Sequence, residues 1–192
     1  MQAFLAPSKY INFEHPEVAA LARVLAGDAP SESAVVRRCF EFVRDEIRHS
    51  SDFKLNPVTR KASDVLRHRT GYCYAKSHLL AALLRANGVP TGLCYQRLSV
   101  GDSGAPYCLH GLNAVYLRDF GWYRIDARGN KPGVNAQFCP PDEALAFAIK
   151  APQERDLPEI WAEPLGVVVA ALERYATYDQ VLANLPDVEL FA

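Results

Sequence analysis

Gly71-Tyr72-Cys73-Tyr74-Ala75-Lys76-Ser77-His78-Leu79-Leu80-Ala81-Ala82-Leu83-Leu84-Arg85-Ala86-Asn87-Gly88-Val89-Pro90 is the stretch on which the fold reading turns. Thr70-Gly71 breaks the preceding structure, and a helix starts at or near Cys73. Leu79, Leu80, Leu83 and Leu84 give it a dense apolar side, and Gly88 with Pro90 just beyond stops it. Cys73 therefore falls in the first turn of a helix. There the backbone N–H groups lack helical partners and the dipole end is positive, so an anion is favoured. A free thiol of pKa ~8.5 is only a few per cent ionised at pH 7, and the thiolate is the nucleophile. Gly71 lets the chain enter the helix at a tight angle and leaves space beside the sulfur. The Cys73 N–H can also point at a developing oxyanion.

Downstream, Leu93–Val100, Leu109–Leu117 and Trp122–Ala127 read as antiparallel strands. Gly101-Asp102-Ser103-Gly104 and Arg118-Asp119-Phe120-Gly121 connect them. Side chains alternate along a strand, so His110, Leu112, Ala114 and Tyr116 share one face. With Arg118 to Phe120 as a three-residue loop, Leu117 pairs with Gly121 and Leu112 with Asp126. Asp126 then lies one diagonal step from His110 on the same face, within contact range. A slip of one residue would send it to the other face, and a bulge at Gly121 would alter the count. The order Cys73, His110, Asp126, separated by 37 and 16 residues, supplies a nucleophile, a base and an orienter for the base. No Cys or His pair has the C-x₂-C or H-x₃-H spacing of a zinc site.

Upstream, one helix is expected from Pro16 to Gly27 and a second from Ser31 to His49. In the second, Val36, Cys39, Phe40, Val43 and Ile47 step by three and four. Asn56-Pro57 marks a turn, and Ser63 reads as the N-cap of a short helix, Asp64 to His68. Pro140-Pro141-Asp142 is expected to open a short helix, and Gly166 to Leu185 a longer one. The class is α+β: helices, then an antiparallel sheet, then helices. One domain spans 1–192, with its core at about 31–128 and a C-terminal helical extension at 140–192.

Composition sets the outer bounds. A chain of 192 residues with 49% apolar and 22% charged residues suits one soluble domain with a sizeable core. A net charge of −1 recruits neither nucleic acid nor an anionic membrane. The start, Met-Gln-Ala-Phe-Leu-Ala-Pro, has no basic region or long apolar run of a secretory signal, and a cytoplasmic location is expected. Five cysteines, Cys39, Cys73, Cys94, Cys108 and Cys139, do not suggest a disulfide framework. Cys39 and Cys94 read as buried small hydrophobes, and Cys108 as strand packing beside His110. His78 reads as a helix-surface residue, Trp122 and Tyr123 as sheet packing, and Arg124 as a surface ion pair. His15, His49 and His68 have no partner in the pattern.

The cysteine block with its Gly-Val-Pro ending, then His110-Gly111-Leu112-Asn113-Ala114-Val115-Tyr116-Leu117, then Gly121-Trp122-Tyr123-Arg124-Ile125-Asp126, resembles the transglutaminase-like superfamily, whose core is papain-like. The resemblance runs from about Ser63 to Arg128. Phe42-Val43-Arg44-Asp45-Glu46-Ile47-Arg48 is similar to the helix that precedes this core. The resemblance implies Cys73 as nucleophile, His110 as base and Asp126 as orienter. Many members carry Ala-Trp after the histidine, where this chain has Gly111-Leu112, which implies a wider cleft or a different substrate. No calcium-loop pattern is present, and neither metal nor organic cofactor is implied. Members range from cross-linking enzymes to proteases, amidases and inactive scaffolds. The expected substrate is a peptide, a protein or a small amide, with hydrolysis favoured over cross-linking because an open cleft does not exclude water.

Three other readings compete. Arg69-Thr70-Gly71-Tyr72-Cys73 resembles the cysteine motif of arylamine N-acetyltransferases, although that family usually has glycine at the Thr70 position and a longer chain. Gly101-Asp102-Ser103-Gly104 resembles the serine motif of trypsin-like proteases, but their fold is almost all β. A catalytically silent scaffold remains the non-enzyme reading.

Overall fold

A computed structural model describes residues 1–101 and 104–189. A 3₁₀ turn at Gln2–Leu5 leads to α1 (Pro16–Ala26), α2 (Glu32–Glu46), β1 (Arg48–His49), α3 (Ser50–Phe53), α4 (Ala62–His68) and β2 (Thr70–Gly71). Then come α5 (Cys73–Ala86), β3 (Thr91–Ser99), β4 (Tyr107–Leu117) and β5 (Gly121–Ile125). The chain closes with β6 (Gln137–Cys139), β7 (Asp142–Ala144), β8 (Arg155–Asp156), α6 (Gly166–Arg174) and α7 (Tyr178–Leu182).

α5 is the axis of the molecule. Every residue from Cys73 to Arg85 is buried, as expected of a helix that is apolar nearly all round. It packs against α1, α2 and α4 and against β3 and β4. Asn87 ends it and Gly88 takes a φ of +74°, a left-handed conformation in which glycine carries no Cβ penalty. Arg85, although charged, is 3% exposed. It donates to the carbonyls of Thr91, Ala6 and Ala162 at 2.7–3.0 Å, which ties the start of β3 and both terminal segments to α5.

The main sheet has the order β5-β4-β3-β8 with antiparallel neighbours. Leu117 pairs with Gly121 across the Arg118–Phe120 loop, and the pairs continue unbroken to Asn113 with Ile125. This is the expected register. Asp126 lies one residue past the end of β5, where the chain leaves the sheet. Leu109, Val115 and Leu117 join the main core with α5. Leu112 and Ala114 lie on the opposite face with Cys94, packed by Trp122, Leu145 and Ile160.

Four expectations change. α2 ends at Glu46 rather than His49. Ile47 is already extended, and Arg48–His49 pair in parallel with Thr70–Gly71, so a non-local strand pair overrides the helical period. Ser63 does not cap α4. The helix begins at Ala62, and Asn12 serves as cap from a distance, accepting from the Ser63 N–H at 3.2 Å and donating to Ser63 Oγ at 2.9 Å. Pro140-Pro141 form the turn of the β6–β7 hairpin, with Cys139 paired to Asp142, rather than a helix start. The segment Gly166–Leu185 is two helices. Asn56 Oδ1 accepts the Tyr178 N–H at 2.8 Å and fixes the start of α7. The 140–192 region is thus mixed, since β7 and β8 fall within it.

Candidate active site

Cys73 is the first residue of α5, and Tyr72 before it supplies no side-chain cap. The N–H groups of this first turn have no helical acceptor. Cys73 is 6% exposed and lines a cavity of about 730 Å³ together with His49, Tyr72, Cys108, His110 and Phe147. The Gly111 N–H donates to Cys73 Sγ at 3.4 Å. His110, on β4, lines the same cavity, and Cys73 acts on its ring to raise the pKa.

His110 Nε2–H donates to Asp126 Oδ2 at 2.7 Å, leaving Nδ1 as the ring nitrogen for the thiol. Asp126 is fully buried. Its Oδ2 also accepts the Ala146 N–H at 3.1 Å, and its Oδ1 the Arg128 N–H at 3.1 Å. Burial alone would push this carboxyl up. The charge and hydrogen bond of His110, helped by the two backbone donors, hold it below the usual carboxylate range. For His110, burial alone would lower the pKa, but Asp126 and then Cys73 raise it to about 10. The Phe147 ring stands edge-on to the imidazole at 5.0 Å between centroids and restricts its tilt. The Arg128 guanidinium lies 5.5 Å from that same ring and pairs with both oxygens of Asp52 at 2.6 and 3.0 Å.

Of the three sequence candidates, Cys73 and His110 therefore line the cavity, and Asp126 is buried against His110. Cys39 and Cys94 are buried, and Cys108, beside His110 in sequence, is half-buried and lines the cavity. Burial pushes each of these three thiols up to about 12. Cys139 is exposed. Arg124 pairs with Glu143 and Asp156, as expected. His78 is not on the surface: it is 1% exposed, its Nδ1 is 2.7 Å from the Arg60 carbonyl, and burial lowers its pKa to about 4. Ser103 lies outside the described residues.

Leu112 does not line the cavity, so the wider cleft expected from Gly111-Leu112 is not produced there. Gly111 acts through close packing instead. A Cβ at this position would stand 2.9 Å from Tyr74 Cδ1 and 3.2 Å from the Tyr74 N and Cα. A Gly111→Val substitution is expected to push β4 off the start of α5 at a cost of about 1–3 kcal/mol. Urea unfolding checks it, and an unchanged midpoint would contradict the packing argument.

Sequence reasoning missed His49, Lys76, Arg128, Ala146 and Phe147. Lys76 carried a signal, being a charged residue in a run otherwise read as core. Its Nζ donates to the carbonyls of Arg44, at 3.3 Å, and Ile47, and so closes the C-terminal end of α2. Ala146 and Phe147 carried none, since they reach the site only through the tertiary fold.

With this geometry in view, the family match is informative. Residues 19–127, more than half of the chain, match the model of the transglutaminase-like superfamily. The chain belongs to this family. No curated protein matches it in sequence. Among solved structures it is similar to a protein from Cytophaga hutchinsonii described as a candidate cysteine protease, at 23% identity and a TM-score of 0.52, over 65% of this chain and 40% of that one. It also aligns with the periplasmic domain of TgpA from Pseudomonas aeruginosa, at 20% identity and a TM-score of 0.47, over 65% of this chain and 45% of that one. The chain thus spans less than half the length of either. At such identities the first likeness speaks to fold alone, and it agrees with a transglutaminase-like architecture of mixed helix and antiparallel sheet. No helix among the described residues is long and apolar enough to cross a membrane.

Proposed function

We propose that the protein is a cysteine enzyme that cleaves amide or peptide bonds through a thioester on Cys73, with water as the usual acceptor. The observation that carries this reading is the buried His110–Asp126 pair beside Cys73 on one cavity, with the Gly111 N–H on the sulfur.

His110 with a raised pKa is an imidazolium at neutral pH, a ready partner for a thiolate. The thiolate adds to the substrate carbonyl carbon, a C–S bond forms, and the carbonyl electron pair moves to oxygen. The pair returns, the C–N bond breaks, and the leaving amine takes the proton from His110 Nδ1. Neutral His110 then draws a proton from water, whose oxygen attacks the thioester. Collapse of the second adduct expels the thiolate and yields the acid. Asp126 holds the tautomer and steadies the imidazolium. Hydrolysis over cross-linking is supported by the open cavity, which admits water beside the sulfur.

The pH dependence of iodoacetamide alkylation tests the reading, with mass spectrometry separating Cys73 from the exposed Cys139. A lone thiol of pKa ~8.5 is roughly 0.3% ionised at pH 6. Wild type should label Cys73 readily there, and His110→Ala on the order of 10²-fold more slowly. Equal profiles that rise only near the free-thiol pKa would sink the proposal in favour of a silent scaffold.

A further inference from the structure

The chemistry at Cys73 develops negative charge on a carbonyl oxygen twice per turnover. Sites of this kind usually offer more than one preorganised donor to that oxygen. The Cys73 N–H at the uncapped end of α5 supplies one. The Gly111 N–H is committed to the sulfur. A second donor has to come from the cavity wall.

His49 stands there for structural reasons that can be followed residue by residue. Lys76 takes the last carbonyls of α2, the chain straightens, and β1 runs parallel to β2 with His49 abreast of Gly71. That is two residues ahead of Cys73. His49 lines the same cavity as Cys73 and His110. Its ring is edge-on to Tyr72 at 5.4 Å, and the residue is 7% exposed.

The imidazole is under-used by the fold. Nδ1 is buried with no hydrogen-bond partner among the described residues. The nearest carboxylate oxygen, Asp52 Oδ2, is 3.9 Å away, and Asp52 is occupied by Arg128 and Lys131. Buried polar groups are normally satisfied, and the exceptions call for a reason. The surroundings also keep the ring neutral. Burial lowers its pKa, Arg128, Lys76 and His110 add to the effect, and Asp52 alone among the facing charges opposes it. A neutral imidazole donates one hydrogen bond without giving up its proton, which suits an oxyanion that must later return its electron pair.

We infer that His49 is the second hydrogen-bond donor to the oxyanion formed at Cys73. This assignment rests on the thioester reading above. His49 transfers no proton: it holds the oxygen while the C–S bond forms, and again while the thioester is hydrolysed.

The test compares two reactions of Cys73 in variants that roughly keep the volume of the ring. p-Nitrophenyl acetate acylates through an oxyanion, whereas iodoacetamide alkylates by displacement at a saturated carbon and forms none. In His49→Leu, acylation of Cys73 should slow about 10²-fold, while alkylation at pH 6 stays within about threefold of wild type. In His49→Gln, whose amide keeps an N–H donor, part of the acylation rate should return. Acylation of His49→Leu at the wild-type rate would overturn the assignment and leave the thioester reading standing. Equal slowing of both reactions would also overturn it, since His49 would then be acting on the sulfur or on the fold. Wild-type Cys73 that alkylates readily but never acylates would bring down the thioester reading and His49 with it.

Discussion

Asp126→Asn should slow acylation of Cys73 by p-nitrophenyl acetate about 10³–10⁴-fold, the scale seen when the orienting carboxylate of a catalytic triad loses its charge. Asp126 accepts from three donors, two on Oδ2 and one on Oδ1, and an asparagine can match neither of its two orientations to them. With its nitrogen toward Arg128, the oxygen still holds His110, but the imidazolium loses its buried counter-charge and the Arg128 N–H loses its acceptor. With its nitrogen toward His110, the Nε2 must accept, so the ring proton moves to Nδ1 and faces the sulfur it should relieve. The first outcome weakens the base and the second removes it. Acylation within tenfold of wild type would show that Asp126 is only a packing residue of the β5 end.

Relative to wild type, Lys76→Met should lose a contribution to stability that grows between pH 7 and 10, a window in which His110, with its pKa raised to about 10, pulls the whole protein the opposite way. The Lys76 side chain is 1% exposed. Burial and then Arg128 lower its pKa from 10.5 to about 7, against the opposing pull of Asp126, Asp45 and Asp52. Below pH 7 the amine is charged in both folded and unfolded chains, and the folded state carries the full penalty of a buried ammonium. Between pH 7 and 10.5 this amine binds more protons in the unfolded chain than in the folded one, so its own contribution to the unfolding free energy climbs with pH. From pH 7 to 9.5 the climb from this group is on the order of 3 kcal/mol. Methionine removes the titration and leaves the Arg44 and Ile47 carbonyls unpaired, so its offset at any one pH mixes two effects. The change in the offset with pH isolates the lysine. Urea unfolding of both proteins at pH 7, 8, 9 and 9.5 measures it, and a constant offset would mean that Lys76 is not charge-strained.

The residues that sequence could place are those governed by local rules or short loops. Cys73 follows from the Gly71 break and the apolar run after it. Asp126 follows from the hairpin, because a three-residue loop between Leu117 and Gly121 leaves one register, and that register sets the distance to His110. His49 was hidden by the same periodicity that located α2, since Ile47 continues the apolar step and nothing local announces the parallel pair with Gly71. A histidine in a helix has no intrinsic preference for burial, so nothing local marks His78 as buried, and its Nδ1 meets the Arg60 carbonyl from 18 residues away. Pro140-Pro141 suits a helix start as well as a tight hairpin turn, and the choice was made by β6 and β7 pairing across it.

The donor from Ala146 to Asp126, and the Phe147 ring against His110, come from beyond residue 127, where the family match stops. The boundary of the family match and the boundary of the contacts around His110 and Asp126 are therefore different lines on this chain. A lineage can keep its ancestral core almost untouched and still retune the acidity and tilt of the base by exchanging the strand-and-loop segment that follows it. In such proteins, the place to look for divergence of activity is the stretch that the family signature leaves out.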